Sequence, residues 1–162
     1  MSQPPQQTIW QNEAQTEAFA MQLAQTLRPL LPRAGGISIA LEGDLGAGKT
    51  TLVRYVLRAL GVAGRIKSPS YAIVESYETA HFPVWHFDFY RLGSAEEWED
   101  AGFRDVFASQ GLKLAEWPEK AAALIPAADV AIHIEALDED ARQVTLRAHT
   151  PLGHRLLQGL SA

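Results

Sequence analysis

The sequence predicts an α/β domain with a mostly parallel central sheet flanked by helices on both faces. Three observations carry this. A short apolar run, Ile37-Ser38-Ile39-Ala40-Leu41, leads into the glycine-rich segment Gly43 to Thr50, and helical spacing follows at once, an order that reads as P-loop NTPase-like. Further strand candidates alternate along the chain with helical segments and capping signals. The 162 residues are enough for one core and show no repeat or low-complexity tract, so 1–162 reads as a single domain.

The polar N-terminus carries two prolines and no apolar leader, and residues 1–7 are expected to be flexible. Asn12 to Gln15 reads as a capping box. Behind it Phe19, Leu23, Leu27 and Leu31 recur every four residues on one helix face. Pro29 and Pro32 are expected to end that helix, with Ala34-Gly35-Gly36 as a turn. After the strand at 37–41, Leu52, Val53, Val56, Leu57 and Leu60 mark a helix from Thr51 to Leu60 that Gly61 stops. Strands are expected at 71–77 and 83–89, with His81-Phe82-Pro83 as their turn. Ser94 to Glu97 is a second capping box opening a helix that ends near Gly102. A short helix is expected over 103–108, a strand at 112–115 and a helix starting at Pro118. Val130 to Ile134 and Gln143 to Ala148 alternate as strands around the turn Asp138-Glu139-Asp140.

The bulk numbers exclude several functions. Cysteine is absent, which removes disulfides, thiolate metal sites and thiol nucleophiles and fits a reducing, cytoplasmic setting. No uninterrupted apolar run approaches the ~18 residues of a membrane span, so no membrane association is expected. The net charge is −5, and the 14 Lys and Arg are scattered without a basic run. Direct DNA or RNA binding is therefore not expected.

Gly43-Asp44-Leu45-Gly46-Ala47-Gly48-Lys49-Thr50 matches G-x-x-x-x-G-K-[ST]. The chemistry explains each residue type. Glycines let the loop wrap until consecutive N–H groups point at phosphate oxygens. Lys49 reaches the β- and γ-phosphates, and the Thr50 hydroxyl coordinates Mg²⁺. The following helix adds the partial positive charge of its N-terminus. Gly46, Ala47, Gly48, Lys49, Thr50 and Thr51 are the expected nucleotide contacts. Thr51 either bonds the α-phosphate or simply starts the helix.

Such sites also need an acidic residue at a neighbouring strand end, to hold the metal or its water. Two are offered. Alternation in Val84 to Tyr90 puts His86, Asp88 and Tyr90 on one face and Trp85, Phe87 and Phe89 on the other. Asp88 is a metal-side candidate or a cap for the next turn. Glu116 follows Leu112-Lys113-Leu114-Ala115 and either serves the metal or interacts with the helix after it. His86 orients a neighbour or packs locally. Lys67 to Tyr71 is a plain loop or a switch loop sensing the γ-phosphate. Arg91 pairs with an acid or faces a partner.

A guanine-reading Asn-Lys-x-Asp motif cannot exist here, because the sole asparagine is Asn12. The dispersed arginines and the lack of a lid-like insertion count against a small-molecule kinase. Gly43 to Leu52, Ser68-Pro69-Ser70-Tyr71 with Val74-Glu75, His86 to Leu92 and Glu116-Trp117-Pro118-Glu119 occur in that order. Together they closely resemble the TsaE (YjeE) family of bacterial tRNA threonylcarbamoyladenosine biosynthesis proteins, over roughly residues 8 to 155.

The resemblance implies an ATPase, weak alone, that acts with the TsaB–TsaD heterodimer. That machinery forms the threonylcarbamoyl group on adenosine 37 of tRNAs reading codons that begin with adenine, over multiple turnovers. The tRNA would be met only through partners, in keeping with the acidic charge. ATP and Mg²⁺ are the implied cofactors. Carried over by motif, Thr50 and Glu116 are the Mg²⁺ ligands, and Asp88 stands near the metal or the attacking water. Asp88, Glu116 and Lys49 form the catalytic set. Glu13 and Asp140 fall near positions bordering the adenosine, with Arg142 beside them for packing on the base. Ser70 departs from the family's usual Ser-Pro-Thr: the hydroxyl is kept and a methyl is lost. The rival readings are a P-loop small-molecule kinase and a nucleotide-binding switch that does not hydrolyse.

Overall fold

The structure, a computed structural model, describes residues 4–66, 73–90, 102–121 and 125–161. Strands β1 (Gln6–Trp10), β2 (Gly36–Glu42), β3 (Val74–Glu78), β4 (Pro83–Asp88), β5 (Gly111–Glu116), β6 (Val130–Ala136) and β7 (Arg142–Ala148) form one sheet in the order β1-β7-β6-β2-β5-β4-β3. Its four middle strands, β6, β2, β5 and β4, are parallel. Antiparallel pairs close both sides, β7 and β1 at one and β3 at the other. The helices are α1 (Glu13–Ala34), α2 (Lys49–Ala59), α3 (Phe103–Ala108) and α4 (Pro151–Ser161), with a 3₁₀ turn at Pro118–Ala121.

Among the described residues the two sheet faces are covered unequally. Ile37, Ile39 and Leu41 of β2, Leu112 and Leu114 of β5, and Val130, Ile132 and Ile134 of β6 bury themselves under Leu23, Leu27 and Leu31 of α1, Leu52, Val53, Val56 and Leu57 of α2, and Leu156 and Leu157 of α4. Each such side chain contributes roughly 1.5–3 kcal/mol by leaving water. The opposite face carries a smaller aromatic cluster. Phe87 and Phe89 stack at 5.3 Å, and Phe103 of α3 meets Phe87 edge-on at 5.7 Å. Period-two alternation in β4 produces this split, sending Val84 to the first core and Phe87 to the second.

Several expectations need correction. Gln6 and Gln7 are not a flexible tail; they pair with Leu146 and Thr145 as an edge strand. Helix α1 runs through Pro29 and Pro32 and ends only at Gly35, whose N–H donates to Leu31 O at 2.8 Å. Each proline deletes one backbone donor. Burial of Leu27 and Leu31, and the bond from Arg28 to Ala59 O at the end of α2, outweigh that loss. At the other end of α1, Asn12 Oδ1 accepts from Gln15 N, and Gln15 Oε1 accepts from Gln11 N instead of from the cap residue. Strand β3 starts at Val74, and Pro118 opens a 3₁₀ turn rather than an α-helix. Helix α4 was not anticipated. Its signal is Thr150-Pro151: Thr150 Oγ1 accepts from Gly153 N at 3.0 Å and itself donates to Asp129 Oδ1 at 2.7 Å. The segment Lys67 to Tyr71 with Ser70, Arg91, and the capping box at Ser94 lie outside the described residues.

Candidate functional site

The glycine-rich loop leaves β2 at the carboxyl edge of the parallel strands and enters α2, where open α/β sheets present their sites. Two glycines are fixed by geometry. Gly43 has φ 142°, and a Cβ there would lie 2.3 Å from Ile134 O. Gly48 caps α2 with φ 110°, a region that disfavours other residues. The wrapped backbone leaves Leu45 76% exposed at its tip.

Lys49 is only 4% exposed, and its ammonium donates to Gly43 O at 2.6 Å while standing 3.6 Å from the centroid of the Trp117 ring. Burial pushes its pKa below the ordinary lysine value, and Glu116, Glu119, Asp88 and Asp44 pull it back up. Trp117 has φ 56°, an uncommon conformation for a non-glycine residue that costs of order 1–3 kcal/mol. Its ring also lies 5.0 Å from Tyr90. A cation over an indole recovers about 0.5–2 kcal/mol of that strain.

Thr50 Oγ1 lies 2.9 and 3.1 Å from the two carboxylate oxygens of Glu116. Glu116, 2% exposed, also meets His86 Nε2 at 2.6 Å. Asp88 ends β4 directly opposite Glu116 in the parallel register. It is half-buried, and its pKa is raised: desolvation dominates, Glu116 adds to it, and the Tyr90 N–H, His86 and Lys49 oppose it. A cleft of about 200 Å³ is lined by Lys49, Thr50, Asp88, Tyr90, Glu116 and Trp117 together with the loop. Among the described residues no three His, Cys, Asp or Glu converge as a metal cage. One hydroxyl and one or two carboxylates beside a phosphate loop match what Mg²⁺ takes from a protein, the rest being phosphate and water.

A second cleft, of about 320 Å³, opens on the other side of the loop, and Gly48 and Thr51 line both. Glu13, Asp140 and Arg142 meet there, although they come from opposite ends of the chain. Glu13 accepts from Tyr55 OH at 2.9 Å, which raises the Tyr55 pKa. The Arg142 guanidinium is committed to carbonyls: Nε donates to Ala47 O at 2.9 Å, and Nη1 to Asp138 O, Glu139 O and Ala141 O. It straps the loop to the β6–β7 turn while lining the cleft. The turn is set by Asp138, whose carboxylate accepts from the N–H groups of Asp140 and Ala141 and is held below the usual carboxylate range by them.

All the anticipated site residues from Glu13 to Arg142 thus line one or the other of these two clefts. Sequence reasoning missed Trp10, Thr16, Ile134 and Glu139 on the second cleft, and the ring of Trp117 over Lys49. Trp10 had no local signal. It becomes a wall because β1 pairs with β7 and its ring packs on Phe19 at 5.1 Å.

Fold and site together define an α/β protein with a phosphate-loop sequence seated between strand and helix, and with two acidic strand ends beside it. Comparison with known proteins makes this specific. The family model for the threonylcarbamoyl adenosine biosynthesis protein TsaE matches residues 10–144. The tRNA threonylcarbamoyladenosine biosynthesis protein TsaE of Haemophilus influenzae is 45% identical over 125 residues, 77% of this chain and 78% of that one. Its Bacillus subtilis counterpart is 34% identical over 137 residues, covering 85% and 82%. The crystal structure of Bacillus subtilis YdiB superposes with a TM-score of 0.77 at 28% identity, covering 99% of this chain and 96% of that chain. The chain belongs to the TsaE family. Among the described residues no helix is long and apolar enough to cross a membrane.

Proposed function

We propose that this chain is the ATP-binding and ATP-hydrolysing component of the machinery that forms threonylcarbamoyladenosine at position 37 of tRNAs reading codons that begin with adenine. It acts in the cytoplasm with a TsaB–TsaD heterodimer, supports multiple turnovers and is a weak ATPase alone. The observation that carries the reading is the convergence of Lys49, Thr50, Glu116 and Asp88 on one cleft beside the phosphate loop, in a TsaE-family chain.

The loop N–H groups and Lys49 bind the phosphates. Lys49 exchanges its bond with Gly43 O for phosphate oxygens, and its low solvent exposure strengthens that contact. Thr50 and Glu116 would hold Mg²⁺, which would supply neutralisation of phosphate charge there. Asp88 orients water near the γ-phosphate, with Trp117 and Tyr90 lining the same cleft. Glu13, Asp140 and Arg142 border the adenosine in the second cleft. A net charge of −5 fits a component that leaves the tRNA to its partners. The test is phosphate release from ATP with and without purified TsaB–TsaD. We expect slow release alone and a clear rise with the heterodimer. Absence of release in both conditions would overturn the reading.

A further inference from the structure

His86 is among the most buried polar groups of the described chain, 1% exposed, and its Nε2 stands 2.6 Å from Glu116 Oε2. The strands dictate the encounter. His86 faces Leu114 in the β4–β5 register and Asp88 faces Glu116, so His86 and Glu116 are diagonal neighbours on one sheet face. An ionised carboxylate only accepts, so the proton between them sits on the imidazole and Nε2 donates.

The two oxygens of Glu116 then have different partners. Oε2 takes His86 Nε2 at 2.6 Å. The single proton of the Thr50 hydroxyl lies nearer Oε1, at 2.9 Å against 3.1 Å to Oε2, and Oε1 keeps capacity for one more partner on the Thr50 side. There is also a competitor. The desolvated ammonium of Lys49 interacts with Glu116 more strongly than with any other acid that acts on it. An unbraced Glu116 has three rotatable bonds with which to turn toward that charge. A closed Lys49–Glu116 ion pair would withdraw both residues from their tasks; besides His86, the Thr50 hydroxyl on Glu116, and Gly43 O and the Trp117 ring on Lys49, oppose it.

We infer that His86 is a positioning residue: it clamps Oε2 of Glu116, keeps that carboxylate off Lys49 and presents Oε1 to the cation bound beside Thr50. The inference rests on the Mg²⁺–ATP reading above and adds a residue to it. His86 touches neither nucleotide nor metal in this scheme and acts only through Glu116.

The experiment measures the Mg²⁺ concentration that half-maximally tightens binding of a fluorescent ATP analogue to the full-length chain. Magnesium-free affinity and thermal midpoint are controls. The variants are His86→Leu, His86→Gln and His86→Asn, with Glu116→Ala as reference. A Gln amide nitrogen reaches where Nε2 stands, and an Asn amide falls short of it. Loss of one charge-assisted hydrogen bond is expected to raise the Mg²⁺ midpoint roughly tenfold in His86→Leu and His86→Asn. Magnesium-free affinity stays within about twofold, since no loop donor changes, and His86→Gln recovers most of the loss. In wild-type protein, long-range ¹H–¹⁵N correlation should find the His86 proton on Nε2. An unchanged midpoint in His86→Leu with a lowered melting temperature would reduce His86 to packing. A Gln variant no better than Asn would overturn the clamp, and this pair remains decisive if the Leu variant does not fold. If Glu116→Ala moves the midpoint and His86→Leu does not, only the clamp fails. If Glu116→Ala itself leaves the midpoint unchanged, Glu116 is not the metal ligand and the functional reading fails first.

Discussion

The two clefts on either side of the phosphate loop are built in opposite ways. The cleft proposed as the phosphate side is built on polar groups bonded to the loop or to one another: Lys49 on Gly43 O, Thr50 on Glu116, His86 on Glu116, with Lys49, Glu116 and His86 buried. The cleft proposed as the base side carries more exposed charged groups, and its best-held member, Arg142, is tied to backbone carbonyls. The difference teaches where each substitution should be felt. Desolvated charges with few alternative partners give large effects and act on chemistry. Exposed carboxylates screened by water give small ones and act on affinity.

The largest expected effect is on the phosphate side. Lys49→Ala removes the loop's only side-chain cation, and ATP affinity should fall roughly 10- to 100-fold, the worth of a charge-assisted hydrogen bond in a dry site. Isothermal calorimetry measures it, and near wild-type affinity would erase the contrast between the clefts. Asp88→Asn should leave ATP binding within a few-fold and slow phosphate release in the presence of TsaB–TsaD by about 10²-fold, as loss of one positioned electrostatic group does. Normal release from this variant would move the catalytic role to Glu116 or to a partner.

On the base side, Arg142→Ala unties Ala47 O from the β6–β7 turn. We expect a stability loss of about 1–2 kcal/mol in urea denaturation and a several-fold weaker ATP affinity, with turnover at saturating ATP nearly unchanged. A fall in turnover as large as that of Asp88→Asn would show that the loop's shape, and not the strand-end charges, limits the reaction.

The smallest effect tests burial itself. The folded state raises the Asp88 pKa, chiefly by desolvation. Between the unfolded value and this raised one, the folded chain binds more protons than the unfolded chain. Stability therefore falls as pH rises through that window, and the penalty persists above it. In the absence of nucleotide and magnesium, Asp88→Asn should melt slightly higher than wild type at neutral pH. That advantage should disappear once the pH drops below the ordinary aspartate range. Thermal denaturation across pH checks it, and a variant less stable at every pH would mean that the carboxylate is structurally required.

The same contrast separates what was legible in the sequence from what was not. The phosphate side is written in short segments whose local geometry suffices. A strand, eight residues of loop and a helix start put Lys49 and Thr50 together by chain continuity, and period-two alternation puts His86 and Asp88 on one face of β4. The apolar spacing of α1 and α2 and the alternation of β6 and β7 are equally local, so the sequence by itself determined the α/β class, most elements and the phosphate-side residue types. Local signals misled where a long-range term outweighed them. Pro29 and Pro32 should stop a helix, yet Leu27 and Leu31 are buried against the core and the helix continues to Gly35. The polar segment at Gln6 looks like a tail, yet β7 offers it an unpaired edge. Only the tertiary structure could bring Glu13, Trp10 and Arg142 into one cleft, because strand order is a property of pairing across more than a hundred residues. It alone decided that Glu116 faces both Thr50 and His86, and that Trp117 accepts a strained backbone to cover Lys49. Those contacts depend on which strands lie side by side and in which register, and no window of neighbouring residues encodes that.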